Sequence, residues 1–77
     1  QVSNSTNTQG VTIDEAKARE IALSQVPNGT IIEISFDYEM GVLVYDVTVV
    51  EGTTEYDFEI SGVDGSIISR SMDSTLD

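Results

Sequence analysis

Between Val42 and Ser61 the chain reads VLVYDVTVVEGTTEYDFEIS, with apolar and polar positions alternating on either side of Glu51-Gly52. Successive side chains of a strand point to opposite faces, so this period of two predicts a pair of β-strands. Leu43, Tyr45, Val47 and Val49 share one face of the first strand, and Tyr56, Phe58 and Ile60 one face of the second. An antiparallel pair with one dry face needs a cover, which the flanking segments must supply.

The alternation extends in both directions. Ile31 to Asp37 predicts an earlier strand with Ile32, Ile34 and Phe36 inward and Glu33, Ser35 and Asp37 outward. A two-residue turn at Met40-Gly41 sets Phe36 opposite Tyr45, Ile34 opposite Val47 and Ile32 opposite Val49. A second such turn at Glu51-Gly52 sets Val47 opposite Tyr56, Tyr45 opposite Phe58 and Leu43 opposite Ile60. Glycine at the second turn position suits the type I′ geometry of hairpins. A one-residue slip in either pairing would turn every apolar side chain outward. Asp64-Gly65 marks a third turn into a short strand around Ser66–Ser69. Gly62 and Gly65 point to a bulge there, which leaves open whether Ile67 or Ile68 faces inward.

Ahead of the strands, AKAREIALSQ is rich in helix formers. Thr12 and Glu15 form a T-x-x-E capping box, with Val11 placed to staple onto Ala16. Asp14 and Glu15 suit the first turn, where the helix dipole favours negative charge. Pro27 ends the helix and Asn28-Gly29 turns the chain. Ala16, Ala22, Leu23 and Val26 define the expected inner face, with Ala18 at its margin and Ile13 and Ile21 outside it. The predicted fold is α+β: one N-terminal helix packed on one face of a four-stranded antiparallel meander. Residues 1–10, nearly all polar, read as a flexible leader, residues 11–71 as the domain and residues 72–77 as a frayed tail.

Length confirms a single small domain, since 77 residues close only one modest core. Charge changes the picture more. Fourteen acidic residues against Lys17, Arg19 and Arg70 give a formal net charge of −11. Nucleic acids and anionic membranes both call for a basic patch, so neither is an expected partner. Solubility alone accounts for such a balance; a basic partner is the functional reading. On the helix, Lys17 and Arg19 are expected to pair with neighbouring acids.

The chain contains no histidine and no cysteine, which removes Ser-His-Asp and Cys-His catalysis, ordinary zinc sites and disulfides. There is no phosphate-binding glycine pattern and no D-x-D-x-D-G calcium loop. No enzyme activity and no cofactor are expected. No apolar run is long enough to span a bilayer. A chain starting with Gln reads as either a trimmed piece or a mature form, with any signal peptide or lipid anchor upstream. Asn4-Ser5-Thr6 and Asn28-Gly29-Thr30 match the glycosylation sequon, which matters only in a eukaryotic secretory setting.

The same register that buries Tyr45 and Phe58 crowds carboxylates on the reverse face. Asp46 is expected across from Asp57, with Glu33, Asp37, Glu55 and Glu59 nearby and Val44 and Val50 interrupting them. Opposed like charges on a sheet cost about 0.2–1 kcal/mol. Water and salt can screen that cost, so the face reads either as a wet surface or as a site for cations or a basic protein. The candidate partner-binding residues are Glu33, Asp37, Val44, Asp46, Glu55, Asp57 and Glu59.

Ala16, Ile21-Ala22 and Pro27 in the helix, Tyr45-x-Val47-x-Val49, Tyr56-x-Phe58-x-Ile60 and Gly65-x-Ile67 follow one another in the order of a known family. From Val11 to Ser69 the chain resembles the PepSY domain of peptidase propeptides and a spore germination protein. The closing turn, Val63-Asp64-Gly65, is shorter than the D-A-x-T-G usual in that family. The resemblance implies helix-on-sheet layering like that of cystatins and no catalytic residues. It also implies a bacterial module, secreted or anchored at the cell surface, that recognises or restrains a peptidase. The alternative is a cation-responsive structural or sensory domain of the cell envelope using the acidic face. A small-ligand carrier is a third reading, weakened by an alanine-lined helix that leaves little room for a cavity.

Overall fold

The computed structural model describes residues 12–75. The leader expected over residues 1–10, the staple of Val11 and the last two residues of the chain lie outside them. The order of elements is α1 (Glu15–Gln25), β1 (Thr30–Glu39), β2 (Val42–Glu51), β3 (Thr54–Ser61) and β4 (Ile67–Ser74). The strands form one antiparallel sheet in the order β1-β2-β3-β4, and α1 lies across β1 and β2 on one face. This is the predicted α+β meander.

Alternation decides which side chains enter the core. Tyr45, Val47 and Val49 from β2 and Phe58 and Ile60 from β3 are buried against Ala18, Ala22 and Val26 of the helix segment. The small side chains of Ala18 and Ala22, four residues apart, let the helix backbone come close to the sheet. Gly29 permits the same closeness at the helix exit: a Cβ there would collide with Cγ1 of Val49.

The helix begins later than the capping box suggests. Ile13 donates its amide to the Gly62 carbonyl at 2.7 Å, and its own carbonyl accepts from the Tyr45 hydroxyl at 3.1 Å. Ile13 is thereby tied to the end of the sheet, and the chain after it is still extended at Asp14, at φ −100° and ψ 178°. Asp14 caps instead, its carboxylate accepting from the Lys17 amide at 2.9 Å. The inner face also differs from the expected one, being centred on Ala18 and Ala22. Ala16 is exposed, Ala18 is at the centre of the contact, and Ile13, Ile21 and Leu23 pack at its margin.

Four further expectations change. β1 carries a bulge between Ile31 and Glu33, so Ile31, not Ile32, pairs with Val49 and shares the inner face with Ile34. Ile32 is exposed. The β2–β3 turn is Gly52-Thr53, because Glu51 pairs with Thr54. Gly52, at φ 62°, is then first in the turn, the position that takes glycine in type II′ hairpins. All pairs move by two: Val47 faces Phe58, Tyr45 faces Ile60 and Val49 faces Tyr56. A shift of two preserves the faces, and the core composition survives it. Lastly, β4 does not stop at Ser69 but pairs with β3 as far as Ser74, and Thr75 donates to the Thr53 carbonyl at 2.6 Å. Residues 72–74, expected in the tail, are therefore strand. The bulge expected near Gly62 and Gly65 lies at Ile68: Ile67 pairs with Ile60 and packs on the core, while Ile68 is exposed.

Candidate functional site

The reverse face is fixed by the register. Across the sheet, one row runs Ser35, Asp46, Glu59, Ser69 and the next runs Glu33, Thr48, Asp57, Ser71. On either side lie Asp37, Val44, Ser61 and Val50, Glu55, Asp73. Glu33, Asp37, Asp46, Glu55, Asp57 and Glu59 thus share one face. Glu39, across from Val42, and Asp73, across from Glu55, join them. Asp73 was missed because its segment looked too polar to form a strand.

The opposed pairs differ from those expected. Asp46 faces Glu59, and Asp57 faces Thr48, whose hydroxyl donates to its carboxylate at 2.7 Å. Directly opposed like charges are therefore Asp46/Glu59 and Glu55/Asp73. Hydroxyl side chains separate other carboxylates along the rows, which lowers the repulsion. Val44 is only 2 % exposed and offers no apolar anchor. It pairs with Ser61, where the chain leaves β3 through a turn tied back by the Gly65 amide on the Ser61 carbonyl and the Val63 amide on the Ser61 hydroxyl. Val44, Ser61 and Gly62 are all buried at this corner.

No basic side chain stands on this face among the described residues. Lys17 and Arg19 pair with Glu20 and Glu15 on the helix, at 3.4 and 3.0 Å. Arg70 is opposite Phe58 on the helix side, its guanidinium 6.0 Å from that ring's centre. The strip is consequently one uncompensated field of negative charge, suited to a complementary cationic surface. Among the described residues, no three acidic side chains converge closely enough to hold a metal ion, so the strip offers extent rather than chelation. No helix among them is long and apolar enough to cross a membrane.

Among the described residues, the Asp64 carboxylate has its titration shifted by its neighbours. Asp64, in the β3–β4 turn, accepts from the Ser66 amide at 3.0 Å and the Ser66 hydroxyl at 2.8 Å. These bonds favour the charged form and hold its pKa below the ordinary 3.8. Asp64 stabilises a turn and does not belong to the strip.

Residues 12–70 match the family model described as peptidase propeptide and YPEB domain. An uncharacterized protein, YkoJ of Bacillus subtilis (strain 168), is 39 % identical over 64 residues, covering 82 % of this chain and 37 % of its own length. The crystal structure of a candidate lipoprotein, CD1622 from Clostridium difficile 630, superposes with a TM-score of 0.79 at 20 % identity. That match covers 86 % of this chain and 43 % of the other. The chain thus spans less than half the length of either.

Proposed function

The chain belongs to the PepSY family, and from that membership we propose that it is a non-enzymatic binding module outside the cytoplasm that recognises or restrains a secreted or cell-surface peptidase. The association of the family with peptidase propeptides supports the partner class, and the likeness to a candidate lipoprotein supports the location. The observation that carries the reading furthest is the uncompensated acidic strip on the open face of the sheet. Glu33, Asp37, Asp46, Glu55, Asp57 and Glu59 are its proposed contacts, with Glu39 and Asp73 added from the register. Complementary charge of this kind speeds encounter and selects the partner more than it supplies raw affinity.

Calorimetric titration against a panel of secreted metallopeptidases tests the proposal. Saturable binding at micromolar concentration is expected, weakening as salt is added. The double variant Asp46→Lys/Glu59→Lys should weaken binding about tenfold, the loss of roughly 1.4 kcal/mol of complementarity. A flat titration and unimpaired proteolysis across the panel reject the partner class.

A further inference from the structure

The helix-side face is longer than the helix that covers it, and beyond its margin on the β4 side lies a groove of about 240 Å³ lined by Tyr56, Arg70, Ser71 and Met72. Tyr56 continues the apolar row of β3, its ring stacked beside that of Phe58 with centres 6.4 Å apart and planes 4° from parallel. Arg70 is the one basic side chain among the described residues that pairs with no carboxylate. In a chain of net charge −11, a cation left unpaired and laid on an aromatic ring marks a place for an anion from outside.

The edge of β4 runs along this groove. Thr75 donates to the Thr53 carbonyl, which marks residues 53 and 75 as a hydrogen-bonded pair. In an antiparallel ladder such pairs alternate with non-bonded ones, so 55/73 and 57/71 are bonded, while 56/72 and 58/70 are not. Arg70 and Met72 therefore turn their backbone amides and carbonyls outward, away from β3. Their side chains are on the groove side, across from Phe58 and Tyr56. The other edge is less hospitable. β1 has a bulge at Ile32 and carries Glu33, Asp37 and Glu39, devices that discourage pairing.

We propose that the β4 edge is a docking site for an extended segment of a partner protein, added antiparallel, with an acidic side chain opposite Arg70 and an apolar one opposite Met72. Backbone bonds to Arg70 and Met72 hold the segment, and side chains two positions apart fall on the groove side. Antiparallel order puts the residue facing Met72 first, so the segment reads apolar-x-acidic. The groove accepts the apolar side chain against Tyr56 and Met72, and Arg70 takes the carboxylate. A second copy of this chain is disfavoured by net charge. This inference does not depend on the acidic strip, which lies on the opposite face.

The test is an NMR titration of the isotopically labelled full chain with an end-blocked eight-residue peptide of alternating threonines containing leucine-x-glutamate. Saturable shifts confined to β4 and the groove are expected. Replacing the glutamate with lysine should weaken binding about two- to fivefold, the factor of an exposed ion pair. Arg70→Glu should invert the preference between the two peptides, a reversal that lost folding cannot imitate. Equal affinity for both peptides, shifts centred on β1, or β4 shifts that follow protein concentration without peptide would each overturn the proposal. So would a free C-terminal carboxylate binding as well once the glutamate is replaced by glutamine.

Discussion

Met40 is held in the left-handed region at φ 54°, followed by Gly41 at φ 81°, so the β1–β2 turn needs positive φ at both central positions. The methionine side chain is fully exposed and contributes no packing there. A non-glycine residue in this region costs about 1 kcal/mol, less for asparagine. Met40→Asn should therefore raise unfolding stability by roughly 0.5–1 kcal/mol in urea titrations. At Asp64 the prediction concerns pH. Its folded pKa lies below the ordinary 3.8, because Ser66 bonds the charged form. The stabilisation is thus complete above the ordinary carboxylate range and disappears as pH falls through the lowered value. Carboxyl NMR should find Asp64 titrating below its ordinary value, and Ser66→Ala, which removes the hydroxyl bond but keeps the amide bond, should raise it only part of the way. Both turns were legible as Gly-containing turns; which residues carried positive φ was not, because that depends on the pairing that closes each hairpin.

The helix shows how tertiary contact overrides a local signal. T-x-x-E is a good start sequence, yet Ile13 is tied to the sheet through both its amide and its carbonyl, and the cap is Asp14. Asp14→Ala should cost about 1 kcal/mol in chemical unfolding, whereas Thr12→Ala should cost less than about 0.3 kcal/mol. Equal losses at the two positions would restore the capping box. The face differs for a separate reason: at about 100° per residue Ala16 and Ala18 lie on nearly opposite sides of the helix, so only one of them can meet the sheet, and the structure puts Ala18 there. β4 was under-read for another reason. SRSMDS has little to bury, and it becomes a strand because β3 presents a complete ladder to it. The β1 bulge left no trace, since Ile31 and Ile32 are equally suited to the inner face by composition.

Over the whole molecule, the balance between the two sheet faces governs stability. The helix side supplies the core, and the reverse side opposes it through Asp46/Glu59 and Glu55/Asp73. Glu59→Lys turns one of these oppositions into an attraction and should add about 0.5–1 kcal/mol. The gain should shrink between about 0.01 M and about 1 M salt, as the Debye length falls from about 30 Å to about 3 Å. Unfolding curves at the two salt concentrations check this, and wild type should gain more from salt than the variant. Stability rising while peptidase binding falls would separate the two roles of that charge. The amino-acid sequence by itself determined which side chains of β2 and β3 share a face, the existence of the helix, and the separation of rings from carboxylates. Alternation is a local property, indifferent to slips of two and to the partner strand. Register, the bulges, the cap and the length of β4 were decided only in the folded chain, because each is a choice among hydrogen bonds to distant residues. Asp46 was always going to lie among carboxylates; only the closing of the β2–β3 turn at Gly52-Thr53 put Glu59, and not Asp57, across from it.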